Sequence, residues 1–276
     1  TLCSDFANAV NFRVKEKDGK ATLTWSMPVI EEETEPIYEF STNFDNGTLD
    51  GWRKIDADGD GYNWQNTSEF ANQGFGVDNS YCAASISYDT GLGKPFDPDN
   101  LLVTDKKYSI TETSKLTYNV AAQSKAYPNE HYAIVVSKKA NTDADDFEIV
   151  FEETLEAGNP DSTSIQSEWY NREIDLSKYA GQNIYIAIRH FDSYNNFWLL
   201  VDNISLTGGA KVRAEEFMSL LENEAVKLII FATGGDFLCE MLDYLDFDRI
   251  KTLSPKWMQG YSDITGISYI FNINFD

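Results

Sequence analysis

The sequence predicts a mainly β chain: a jelly-roll β-sandwich through its middle, followed by a small incomplete α/β segment. Three observations carry this. Between residues 36 and 208, short alternating runs rich in Tyr, Phe and Trp are separated about every ten residues by clusters of Gly, Asn and Asp, the spacing of sandwiches and jelly rolls. No helical apolar period of any length occurs there. After Thr207-Gly208-Gly209 the texture changes to helical spacing and one continuous apolar run, which a sheet-on-sheet fold does not produce.

The elements follow in order. Val10, Phe12 and Val14, then Ala21, Leu23 and Trp25, alternate on either side of Asp18-Gly19, the signature of a two-residue hairpin. A charged linker, 31–35, ends this first segment, 1–35. In the second segment, 36–208, strands are predicted over 115–121, 132–138, 147–153, 170–174, 184–191 and 198–206, with period two plainest in Tyr185, Ala187, Arg189 and Phe191. In the third segment, 209–276, Phe217, Leu220, Leu221 and Ala225 predict a helix over 212–225. The run KLIIFAT, 227–233, predicts a parallel strand buried on both faces. A second helix over 237–245, a short strand over 256–260 and a third helix complete it.

Composition narrows the function. The 276 residues carry 45 acidic and 22 basic side chains, a formal charge of −23. Phosphate backbones need clustered Lys and Arg, so nucleic acid is not an expected partner, and membrane insertion is not expected because no run of 18 apolar residues exists. The acid favours a solvated surface or divalent cations. Cys3, Cys82 and Cys239 have no paired spacing, so neither a disulfide framework nor a zinc site is expected.

Candidate sites are few. Asp56, Asp58 and Asp60 alternate with Gly59 and Gly61, a pattern that wraps oxygens round Ca2+. Thr67 stands where an EF-hand needs Glu. The alternative is a plain Asp-Gly turn between two aromatic strands. Tyr62, Trp64, Tyr88 and Tyr194 are candidates for stacking on sugar rings or for the core. The two histidines, His131 and His190, have no adjacent Ser or Cys pattern that would make either a base.

The order Phe44-Asp45-Asn46-Gly47, Gly51-Trp52, Asp56 to Gly61, Trp64, then Pro98 to Thr104, Glu130-His131-Tyr132-Ala133, Ala187 to Phe191 and Val201 to Ile204 resembles the cleaved-adhesin domain, the haemagglutinin/adhesin module of gingipains. That resemblance implies a secreted or cell-surface adhesin. It also implies a Ca2+-stabilised jelly roll that binds a host or matrix protein or a glycan, with the ion where first and last strands meet. Carried over, the ligands are Asp45 and Asp202, with Asn100 beside them. The hairpin, ATLTWSMP, resembles the start of a fibronectin type III domain.

Gly260-Tyr261-Ser262-Asp263, with Gly234-Gly235-Asp236 before it, resembles the serine LD-carboxypeptidase family, which acts on peptidoglycan peptides. The resemblance puts the nucleophile at Ser262 and the oxyanion N–H groups at Asp263 and Gly235. The family's Glu and His come from a later domain, and no His follows Ser262 in these residues. A serine without a base is a weak nucleophile, so catalysis by this chain is not expected. The chain thus reads as a join of two incomplete families near 207–211.

Overall fold

A computed structural model describes residues 10–17, 20–26, 36–71, 74–158, 166–231 and 238–260, with 265, 267 and 271. The chain divides into two units, Thr1–Pro36 and Ile37–Asp276. The first contains the predicted hairpin. Strands β1 (Val10–Lys17) and β2 (Lys20–Ser26) pair antiparallel, Val14 opposite Leu23 and Lys17 opposite Lys20. Asp18-Gly19 and the 31–35 linker lie outside the described residues.

The second unit is built on a β-sandwich. Its strands are β3 (Phe40–Thr42), β4 (Trp52–Asp56), β5 (Ala83–Ile86), β6 (Asn100–Thr104), β7 (Lys115–Ala122), β8 (His131–Ser137), β9 (Glu148–Thr154), β10 (Tyr170–Asp175), β11 (Asn183–His190) and β12 (Trp198–Thr207). One antiparallel sheet runs β9-β8-β11-β6-β4, with Tyr108–Ser109 added to β11. The other runs β10-β7-β12-β5 and then Gln65–Asn66, with β3 added to β12. Within the sandwich no α-helix occurs among the described residues, only 3-10 turns.

Alternation explains which side chains meet. On β11, Ile184, Ile186 and Ile188 enter the main core, while Tyr185 and Ala187 line the outer face of their sheet. The alternating set visible in the sequence is therefore the outer one. Leu116, Tyr118 and Val120 of β7 and Leu199, Val201, Ile204 and Leu206 of β12 fill the same core. Each such aliphatic side chain contributes about 1.5–3 kcal/mol on burial.

One irregularity positions the candidate site. Thr117 pairs with Ser205, but Asn119 pairs with Asp202, so β12 carries one extra residue against β7. Asn203, at φ 49°, takes up the bulge. Val201 and Ile204 both remain inward. β3 ends opposite this point, with Thr42 paired to Ile204.

The C-terminal segment has its own core. Helix α1 (Ala210–Glu222), a 3-10 turn (Leu238–Tyr244) and helix α2 (Phe247–Ile250) pack round a parallel pair, β13 (Leu228–Ile230) and β14 (Trp257–Gln259). Phe217, Leu221, Ile229, Met241 and Ile250 are buried together. Two expectations are corrected. The second helix is a 3-10 turn, and β13 is not buried on both faces. Leu228 and Ile230 are 48% and 63% exposed and Trp257 is 79% exposed, because among the described residues β13 pairs with β14 alone and packs one face on α1.

This segment is tied to the sandwich by Glu39. Its Oε1 accepts the Gly209 N–H at 2.8 Å and its Oε2 pairs with Arg213 of α1. The Gly208 carbonyl accepts the hydroxyls of Thr111 and Thr113. Glu39→Ala is expected to cost about 2 kcal/mol, the loss of a half-buried charge-assisted pair. It should also speed limited proteolysis at 207–209, read by mass spectrometry. Unchanged cleavage would show that the tie contributes nothing.

Candidate functional site

By alternation past Val201, Asp202 points to the outer face of its sheet, and there it is fully buried. The loop 74–81 covers it. Asp202 Oδ2 accepts the Val77 N–H at 2.9 Å and the Ser80 hydroxyl at 3.3 Å, and Oδ1 accepts the Asn203 N–H at 2.8 Å. The loop turns through Asp78 and Asn79, at φ 56° and 63°, residue types that tolerate the left-handed region. Gly76 is required by contact: a Cβ there would lie 2.5 Å from Ser80 Oγ, 2.8 Å from Asp202 Oδ2 and 2.8 Å from the Tyr81 carbonyl oxygen. Three oxygens thus converge on one point.

Asp45 stands close enough for its charge to act on Asp202. Burial first, and then the Asp45 carboxylate, push Asp202 up to about 6 from the usual 3.8, although three hydrogen bonds oppose the shift. Asp45 itself is exposed and accepts the Asn43 amide at 2.7 Å. It follows Phe44, which is buried at φ 58°. The residues suit a hard cation: two carboxylates, a hydroxyl and a carbonyl, all oxygen.

The second acidic group is Asp56, Asp58 and Asp60, one carboxylate oxygen of each lying within 4.8 Å of the others. Asp56 closes the loop on itself, accepting Gly59 N–H at 2.8 Å and Gly61 N–H at 3.0 Å. Burial works against its charge, but the proton of Asp58 and these N–H groups hold it below the usual range. Asp58 goes the other way, to about 6, from burial, from sharing its proton with Asp56 and from the charges of Asp60 and Asp56.

Asn100 is placed differently from the two aspartates. It lies on β6 opposite Asp56 and His190, and alternation with Leu102 turns it into the sandwich, not toward Asp202 on the outer face of the other sheet. Both its amide atoms are buried without a hydrogen-bond partner. Its carbonyl accepts Trp64 Nε1 at 3.1 Å. Trp64 is fully buried, Tyr62 packs on Phe96 and Tyr88 on Phe197, and Tyr194 alone of the four aromatic candidates is largely exposed.

Both histidines are strand residues with hydrogen-bonded rings. His190 does have a serine: Ser85 Oγ lies 2.8 Å from Nδ1, and Glu130 Oε2 lies 3.0 Å from Nε2. All three side chains are fully buried, so no substrate reaches the serine, and the chain of bonds links the two sheets. His131, on β8, meets Thr154 at 2.8 Å and packs edge-on against Phe191. Ser262, Asp263 and Gly235 lie outside the described residues.

Two six-stranded antiparallel sheets, closed by a first strand laid on the last with carboxylates at their junction, define an all-β sandwich domain of the adhesin type. The chain belongs to the Cleaved Adhesin Domain family, whose sequence model matches residues 37–206. It is 35% identical over 215 residues to Hemagglutinin A of Porphyromonas gingivalis, covering 74% of this chain and 8% of that protein. It is 34% identical over 196 residues to Lys-gingipain W83 of the same organism, covering 68% and 11%. The chain thus spans only about a tenth of these relatives. Among solved structures, the K1 Cleaved Adhesin domain of Lys-gingipain from P. gingivalis W83 matches with TM-score 0.54 and 35% identity, over 62% of this chain and 98% of that one. The K3 domain matches with TM-score 0.53 and 36% identity, over 61% and 97%. The model of the LD-carboxypeptidase N-terminal domain also matches, over 162–275. From residue 170 to 206 the matched stretch is sandwich here: β10, β11 and most of β12. Among the described residues no helix is long and apolar enough to cross a membrane.

Proposed function

We propose that the chain is an extracellular, Ca2+-stabilised, non-catalytic module that binds a host or matrix protein or a glycan. The observation that carries this reading is the oxygen cradle at Asp202, beside Asp45, where β3 meets the bulge of β12. Asp45 and Asp202, with Ser80 Oγ and the Tyr81 carbonyl, would hold the ion. Its charge would offset two neighbouring carboxylates and clamp loop 74–81 and the first strand to the last. Asp56, Asp58 and Asp60 offer a second all-oxygen set. Family membership supports the binding role, and the acidic surface supports cations over anionic partners.

The LD-carboxypeptidase likeness raises a peptidase alternative centred on Ser262. Both histidines of these residues belong to sandwich strands, and His190 is committed to Ser85 and Glu130. Labelling of Ser262 by a serine-directed phosphonate would favour that alternative.

The test is the melting temperature in saturating Ca2+ against EDTA, with adhesion to immobilised matrix proteins and to a glycan array measured in parallel. A ligand at about 100 times its Kd adds about 2.7 kcal/mol. For a domain of this size that raises Tm by about 5–10 °C. An unchanged Tm removes the Ca2+ part, and no adhesion to either class removes the binding part.

A further inference from the structure

We propose that a recess on the outer face of the second sheet is a binding site for a neutral sugar ring. This rests on the binding-module reading above and names a site and a ligand class for it.

The recess holds about 460 Å³ and is lined by Phe70, Phe75, Thr90, Gln123, Trp198 and Leu200. It exists because the outward side chains of this sheet are small. Ala84, Ala121 and Leu200 are buried together on that face, with Phe75, Trp169 and Trp198 packed round them. The volume falls within the range of small-ligand pockets.

Its aromatic wall is pre-organised. Phe70 stacks on Trp198 with centroids 4.5 Å apart and planes 18° apart, and Phe75 lies 6.5 Å from Phe70. Phe70 follows a 3-10 turn held by a capping box between Asn66 and Glu69. Yet Phe70 remains 44% exposed. A flat ring pair fixed by the backbone and left open presents an apolar plane that the C–H face of a pyranose can cover.

The polar side of the recess decides between occupants. Gln123 Oε1 is buried and has no hydrogen-bond partner, while the Gln123 N–H is fixed on the Trp198 carbonyl at 2.8 Å. An apolar side chain filling the recess would offer the Gln123 side-chain oxygen no donor. A rotation of the Gln123 amide into the recess lets a sugar hydroxyl donate to it while the ring lies on the aromatics, and Thr90 adds a hydroxyl at the rim. Among the described lining residues none is charged, and the chain carries −23 overall. A neutral saccharide fits these facts and an acidic one does not.

The experiment uses the full chain. Methyl glycosides of galactose, mannose and glucose and N-acetylglucosamine are titrated while tryptophan fluorescence is followed, alongside a glycan array. Wild type is compared with Phe70→Ala, Gln123→Met and the control Ile149→Ala, an exposed side chain on β9 at the edge of the other sheet. Phe70→Ala is expected to weaken saccharide binding about tenfold or more and Gln123→Met about fivefold or more, with Ile149→Ala unchanged. Gln123→Met should leave Tm unaltered, because Oε1 gives up no partner within the protein. Sugar binding that ignores Phe70→Ala and Gln123→Met overturns the site but leaves the module reading intact. Adhesion to matrix protein lost on Phe70→Ala, with no sugar bound, overturns the ligand class and makes the recess a peptide site. No adhesion of any kind removes the module reading itself.

Discussion

Glu130→Ala is expected to destabilise the sandwich by about 3–5 kcal/mol, the range for removing one partner of a buried charged or hydrogen-bonded group. Glu130 stands at the entry to β8 in one sheet and is fully buried. Its Oε1 accepts the Ser87 hydroxyl at 2.9 Å and the Phe197 N–H at 2.8 Å, and its Oε2 faces His190 Nε2 at 3.0 Å. The other ring nitrogen of His190 reaches Ser85 on β5, in the opposite sheet. Truncation at Glu130 therefore strands donors from two sheets and the 195–197 turn at once. Domains of this kind have only about 5–15 kcal/mol in total, so the loss should be plain in urea unfolding followed by tryptophan fluorescence. Glu130→Gln keeps one acceptor and should cost less. In a double-mutant cycle with His190→Ala, the two changes should fall short of additivity by about 1 kcal/mol or more. A cost below about 1 kcal/mol for Glu130→Ala, or strict additivity, would mean that the network is incidental to stability.

This network was not legible in the sequence, whereas most strands around it were; β5, which carries Ser85, was not among those predicted. The strand predicted over 198–206 is Trp198–Thr207 in the structure, and that over 115–121 is Lys115–Ala122. Period two in a half-buried sheet is a local property, readable within one segment. The meeting of His190 with Ser85 and Glu130 spans 105 and 60 positions. It depends on which strands face one another across the sandwich, which no local pattern states. The placement of Asn100 was hidden for the same reason: it is adjacent in sequence to a polar, acidic stretch, but its parity on β6 sends it inward. Asp45 and Asp202 came from family resemblance. Gly76 and Ser80, which complete the cradle, sit in a loop whose only signal was a cluster of turn residues. The stack of Phe70 on Trp198 crosses 128 positions and carried no local sign at all. In the C-terminal segment the apolar run 227–233 did mark a parallel strand, but its burial depends on neighbours, and β14 is the only strand beside it among the described residues.

Asp202 supplies the prediction in which pH and Ca2+ oppose each other. Its folded-state carboxyl is pushed up to about 6 from 3.8. In EDTA the native state then binds more protons than the unfolded chain between about pH 4 and pH 6, so stability falls as pH rises through that window. Two pKa units correspond to about 3 kcal/mol for this fully buried group. Asp58, also at about 6, acts with the same sign, but it is exposed and solvent screening reduces its share. Saturating Ca2+ should invert the slope. The ion binds the ionised carboxylate, so its stabilisation grows as Asp202 deprotonates, and the protein becomes more stable at pH 7 than at pH 4.5. Asp202→Asn should remove most of the slope in EDTA and most of the response to Ca2+ together, whatever it does to absolute stability. Asp58→Asn should remove only the smaller part of each. The measurement is urea unfolding across pH 4–7.5, with and without Ca2+, for the three proteins. If Asp202→Asn keeps the full Ca2+ response, the ion is held elsewhere, and the Asp56–Asp60 loop becomes the first place to look. If wild type gains stability from pH 4 to pH 6 in EDTA, then loop 74–81 opens in the ion-free protein and hydrates Asp202. The clamp would in that case be made by the ion and not by the fold.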